Sequence, residues 1–174
     1  MASRRTTKVI SSPHGAHLEV APGDLHFVAN LKTNILKCFV VVSDGVTQNR
    51  YNVPVRGYGA NGPGWEVWGG DTPPGPYRCG LIYDIPETDP QATSFGPYFV
   101  DLEELDNQER RYGRAGIGLH GGGSGLPDAW KAARQGWQVT HGCLRVQNED
   151  LRKIVDSIRF IRRNGGESFI TVVW

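Results

Sequence analysis

The stretch Thr140-His141-Gly142-Cys143-Leu144-Arg145 sets a cysteine between a histidine and an arginine. Upstream, Gly116-Ile117-Gly118-Leu119-His120-Gly121-Gly122-Gly123 brings a second histidine at the end of an apolar run. A thiol becomes an effective nucleophile as the thiolate, and a nearby imidazole is the usual means of forming one near neutral pH. Glycines on both sides let backbone N–H groups approach a reacting carbonyl, which larger residues hinder. The pattern predicts covalent chemistry at Cys143. His141 is expected to shape the loop rather than share the chemistry, because side chains adjacent in sequence diverge.

Such residues need a frame. Runs rich in β-branched and aromatic residues, bounded by Gly, Pro and Asp, predict strands over 17–20, 26–29, 35–42, 52–57, 77–83, 95–102, 114–120 and 168–174. The near-continuous apolar run 35–42 predicts a strand buried on both faces, and Pro54 marks 52–57 as an edge strand. Residues 126–136 suit a short helix closed by Gly136. The strongest helix signal covers about 149–163. Asn148 is its expected N-cap, Glu149 and Asp150 suit its positive end, and Leu151, Ile154, Val155, Ile158 and Ile161 form one apolar stripe. Residues 1–13 read as a polar, poorly ordered lead-in. The fold class is mainly β with short helices, in a single domain over 1–174.

The 19 basic and 18 acidic residues balance, which argues against a nucleic-acid partner. No apolar run approaches the roughly 20 residues that span a bilayer. An odd cysteine count leaves at least one thiol outside any intrachain pair, and Cys143 is the candidate. Cys38 and Cys79 lie in strand-like runs as a buried reduced pair, with a disulfide between them the open alternative.

The motif His120…Thr140-His141-Gly142-Cys143-Leu144-Arg145 resembles the signature of the L,D-transpeptidase catalytic domain of the YkuD type. The stretch Asp71-Thr72-Pro73-Pro74-Gly75-Pro76-Tyr77 is similar to that family's upstream Thr-Pro-x-Gly-x-aromatic segment. The resemblance spans roughly residues 70–152, and the interval 121–139 is somewhat longer than in the family. It implies a β-sandwich-like fold, a monomer without a cofactor or metal, and peptidoglycan stem peptides as substrate. Cys143 would attack the carbonyl of the third stem residue, a diamino acid, and expel the terminal D-alanine. The acyl group would pass to water, to a free D-amino acid or to a second stem, with cross-linking the minor outcome. His120 would be the general base, oriented by the Gly121 carbonyl. Gly142 and Cys143 would supply oxyanion N–H groups. Arg145, Thr140, Trp130 and Tyr77 are expected at the substrate, with Arg145 either meeting a carboxylate or fixing the loop.

Two other classes compete. His120, His141 and Cys143 are chemically acceptable as three ligands of a zinc peptidase. Trp65 and Trp68 suit a platform of a non-catalytic cell-wall-binding module. The substrate implies action in the periplasm or cell wall. The start Met1-Ala2-Ser3-Arg4-Arg5 lacks the apolar segment of a Sec signal, so delivery by another secretion apparatus or by phage lysis is expected. A toxin-like effector with an immunity partner fits that expectation.

Overall fold

The computed structural model describes residues 8–11, 17–43 and 45–174. Most of the expected disordered lead-in lies outside these residues, but Lys8–Ser11 form a strand, β1, antiparallel to β2 (His17–Val20). The remaining strands are β3 (Leu25–Asn30), β4 (Ile35–Ser43), β5 (Val46–Pro54), β6 (Gly75–Asp84), β7 (Tyr98–Glu104), β8 (Gly118–His120), β9 (Leu144–Arg145) and β10 (Ser168–Val173). They form one eight-stranded sheet in the order β5-β4-β3-β10-β6-β7-β8-β9. Pairing is antiparallel except for β3 with β10 and β8 with β9. The mainly-β expectation holds, and the C-terminal strand runs through the middle of the sheet.

The sheet curls until the chain just after β5 meets β9. Arg56 bridges Arg145, and Gly59 bridges Thr140. These bridges occupy edge groups that would otherwise offer themselves to other chains. They also bring the loop after β5 against the cysteine stretch.

The helices are α1 (Ala92–Phe95), α2 (Gln108–Tyr112) and α3 (Asn148–Arg163). As the apolar stripe requires, Leu151, Ile154, Val155 and Ile158 of α3 are fully buried against Phe27, Leu36, Leu119, Leu144 and Ile170. Each such side chain contributes about 1.5–3 kcal/mol relative to exposure. Arg162, in the last turn, donates to the carbonyls of Cys79 and Gly80, tying the helix to β6.

Three sequence expectations change. β4 is buried on one face only: Leu36, Cys38 and Val41 point inward while Lys37 is exposed, since only one side of this strand meets the core. The edge strand is longer than 52–57 and begins at Val46, its polar first half having hidden it. Residues 126–136 form turns rather than a helix. Asp128 adopts φ 48°, and the Asn148 amide takes the carbonyls of Ala129 and Ala132 at 3.0 and 2.8 Å. Carbonyls held by a distant side chain do not propagate a helix.

Candidate active site

Strand register assembles the site. In the parallel β8–β9 pair, Leu119 sits opposite Leu144 and His120 opposite Arg145. Side chains alternate along a strand, so Leu119 and Leu144 go to the core while His120, Cys143 and Arg145 share the other face. Leu119 and Leu144 are 1% and 0% exposed. On that other face His120, Cys143 and Arg145 line a cleft of about 500 Å³ together with Trp68, Phe99 and Val139.

His120 is buried between aromatic rings: Phe99 stacks on it at 5.9 Å and Phe95 meets it edge-on at 4.9 Å. Its Nδ1 lies 2.8 Å from the Gly121 carbonyl. A carbonyl only accepts, so Nδ1 carries the proton and Nε2 the lone pair. Burial, reinforced by the Arg145 charge, lowers the imidazole from its ordinary value to about 3. The ring is therefore a neutral base.

Cys143 is partly exposed and unpaired. Its Sγ accepts from the Gly118 N–H at 3.4 Å, and the thiol points to the Gly116 carbonyl at 3.8 Å. Burial raises the thiol above its ordinary value, outweighing the opposing pull of the Gly118 N–H, Arg145 and Arg114. At rest the pair is thus thiol and imidazole rather than thiolate and imidazolium. Cys38 and Cys79 are also unpaired and buried, and burial pushes them up to about 11 and about 12, leaving both thiols inert.

The loop before Cys143 is fixed by its own polar groups. Thr140 Oγ1 donates to the Cys143 carbonyl at 2.8 Å and accepts the Gly142 N–H at 3.1 Å. Thr140, expected at the substrate, spends its hydroxyl on this turn although it borders the cleft. Of the two expected oxyanion donors, Gly142 is therefore engaged; the Cys143 N–H has no hydrogen-bond partner among the described residues. Gly142 sits at φ 116°, which side chains rarely tolerate.

Arg145 is 5% exposed, and its Nη1 donates to the carbonyls of Gly121, at 2.8 Å, and Gly122. Burial lowers its guanidinium to about 10, still charged at neutral pH. Its Nε is buried without a partner among the described residues. No carboxylate lines the cleft.

Two expected substrate residues lie elsewhere. Tyr77 is 1% exposed, with its hydroxyl donating to the Pro73 carbonyl at 2.8 Å, because the Pro-Gly turn directs it into the core. Trp130 donates its indole N–H to the Ile85 carbonyl at 2.6 Å and anchors the 121–139 interval without lining the cleft. His141 is exposed, its ring 5.6 Å from Trp68. It borders the same cleft as His120 and Cys143, the other two members of the expected zinc set, but no cluster of three or more His, Cys, Asp or Glu suited to a metal occurs among the described residues. Of the expected aromatic platform, Trp65 packs between Tyr112 and Trp174, while Trp68 is 74% exposed at the cleft.

Sequence reasoning missed two residues. Asn148 is not the N-cap but the first residue of α3, and it faces inward. Its Oδ1 accepts the Gly122 N–H at 2.9 Å while Nδ2 holds the turns after Leu126, so one amide joins the glycine turn after His120 to residues 129–132. A Cβ on Gly121 would lie 2.1 Å from that Oδ1, which makes glycine obligatory beside His120. Replacing Asn148 by Ala should cost on the order of 2–4 kcal/mol, since buried groups left unpaired cost about 1–3 kcal/mol each. Urea unfolding with an unchanged midpoint would contradict this. The second missed residue is Arg114, whose Nη2 lies close against Gly142.

A family model described as the L,D-transpeptidase catalytic domain, YkuD, matches residues 26–163. No curated protein matches the sequence. Among solved structures, the chain is similar to Bd1075 of Bdellovibrio bacteriovorus, with TM-score 0.62 and 17% identity over 98% of this chain and 52% of that one. It is also similar to the helical cell shape determining protein Pgp2 of Campylobacter jejuni, with TM-score 0.60 and 16% identity over 86% of this chain and 47% of that one. An L,D-transpeptidase from Stackebrandtia nassauensis matches with TM-score 0.50 and 16% identity, over 98% of this chain and 59% of that one. The chain spans about half the length of the first two. At these identities the structural likeness establishes the fold.

Proposed function

The chain belongs to the YkuD family of L,D-transpeptidase catalytic domains, and from that premise we propose that it is a cysteine acyltransferase acting on peptidoglycan stem peptides. The family's substrate sets its action in the periplasm or cell wall, and no helix among the described residues is long and apolar enough to cross a membrane. The observation that carries the proposal is the single face shared by Cys143, His120 and Arg145 in one cleft.

In this reading Sγ attacks the carbonyl carbon of the third stem residue as the thiol proton passes to His120 Nε2. The C–S bond forms and the oxyanion is met by the Cys143 N–H. Collapse breaks the amide bond, and the departing D-alanine amine takes the proton from His120. An acceptor then repeats these steps in reverse on the thioester, with His120 as base. Arg145, the cation of a cleft without carboxylates, holds a substrate carboxylate as well as the Gly121–Gly122 turn.

The cleft is open on the side of Trp68 and Val139, which are 74% and 53% exposed, so water reaches the thioester. This favours hydrolysis, with exchange when a free D-amino acid is abundant and cross-linking minor. Mass spectrometry of products from tetrapeptide muropeptides tests this. Tripeptides plus free D-alanine are expected. Unchanged substrate would contradict the function, and accumulation of 3→3 dimers would contradict the argument from openness.

Trp68 gives the substrate an aromatic wall, with the His141 ring tilted against it at 5.6 Å. Trp68→Ala should raise KM about 2–10-fold, the scale of a lost contact worth about 0.5–1.5 kcal/mol. kcat and the alkylation rate of Cys143 should hold. Steady-state kinetics with an unchanged KM would remove Trp68 from the binding surface.

A further inference from the structure

We propose that Arg114 is a positioning residue of the reaction, fixing the backbone at Gly142 so that the Cys143 N–H faces the reacting carbonyl. The inference rests on the reading of Cys143 as the nucleophile.

Arg114 lies in the connection leading to β8 and is 4% exposed. It forms no ion pair with a carboxylate among the described residues. Its hydrogen bonds all go to carbonyls. Nη1 donates to Trp65 at 3.0 Å, Val67 at 2.7 Å and Asp71 at 3.3 Å, and Nη2 to Gly70 at 3.3 Å and His141 at 2.8 Å. The Asp71 carboxylate is turned away, accepting the N–H groups of Gly59 and Gly64. A buried cation that hydrogen-bonds no carboxylate is costly, and five carbonyl contacts at one guanidinium compensate it through geometry that only Arg supplies.

Those carbonyls come from two places. Four belong to the 65–71 loop, and the fifth is that of His141, two residues before Cys143. The guanidinium therefore bridges the loop after β5 to the cysteine turn. It also lies so close to Gly142 that a Cβ there would sit 1.9 Å from Nη2. Held this way, the His141 carbonyl points at Arg114, which does not line the cleft, rather than at an oxyanion that it would repel. The peptide plane is fixed from one side by Arg114 and from the other by Thr140 Oγ1. The Cys143 N–H, next along the chain, inherits its direction from these two restraints.

The test compares wild type with Arg114→Lys, which keeps the charge but replaces the planar fork by a compact ammonium. Turnover of tetrapeptide muropeptides is measured beside alkylation of Cys143 by iodoacetamide, which needs the thiol but no oxyanion donor, and beside the thermal midpoint. The expected result is a split: kcat falls about 10²-fold, the scale of one lost oxyanion donor, KM moves less than about threefold and alkylation stays within about threefold. Should Arg114→Lys fail to fold, Gly142→Ala disturbs the same contact from the other side with the cation retained, and the same split is expected. A folded variant that keeps kcat, or one that loses kcat and alkylation in parallel, overturns the inference. Wild-type Cys143 that resists iodoacetamide altogether instead refutes the nucleophile reading on which the inference stands.

Discussion

Cys143→Ala should remove turnover of tetrapeptide stems entirely while leaving the fold intact. The loss is on the order of 10⁶-fold, as when the nucleophile of an acyl-transfer site is deleted. Both halves of the expectation follow from the contacts. The turn is held by Thr140 Oγ1 on the Cys143 carbonyl and by Arg114 on the His141 carbonyl, neither of which involves the thiol. The thiol itself makes only long contacts, 3.4 Å from the Gly118 nitrogen and 3.8 Å from the Gly116 carbonyl. Removing it deletes the chemistry and little else. Residual activity above background, with an unchanged unfolding midpoint, would move the nucleophile elsewhere.

His120→Ala should cost about 10²–10⁴-fold in kcat, the usual worth of general-base help. The pH dependence is the sharper test. In the proposed mechanism the base is the neutral imidazole, and protonation removes it as pH falls. Because burial and Arg145 hold its value at about 3, the acid limb of activity lies far below the ordinary histidine range near 6.5. The Cys143 thiol is raised, so alkylation should climb into the alkaline range without the neutral plateau of a preformed thiolate–imidazolium pair. A plateau between about pH 5 and 8 would show that the pair is ionised at rest, contrary to the environment described for both groups.

Much of the candidate site's geometry was legible because its residues lie close together in sequence. Thr140 to Arg145 places cysteine, glycine and arginine at spacings that one short strand converts into a shared face, and His120 was expected at the end of a strand over 114–120, which the structure confines to Gly118–His120. The apolar stripe of α3 was equally plain. What escaped reading was set by contacts remote in sequence. Arg114 serves carbonyls 43–49 positions upstream and one 27 positions downstream, and nothing in its neighbourhood signals this. Asn148 looked like a cap because it precedes a helix. Its amide instead reaches the turns after Leu126, which also explains why that stretch is not helical. Tyr77 followed a segment similar to the family's and was expected at the substrate, but the same Pro-Gly turn that places β6 sends its ring inward.

The central claim is a thioester on Cys143, and intact-mass spectrometry of the protein during turnover of a disaccharide tetrapeptide tests it directly. Acid quench followed by peptide mapping should show the protein plus the tripeptide acyl group, carried by the peptide containing Cys143 and discharged by hydroxylamine. Products released with no adduct at any time, in a preparation that loses activity to a chelator, would contradict it.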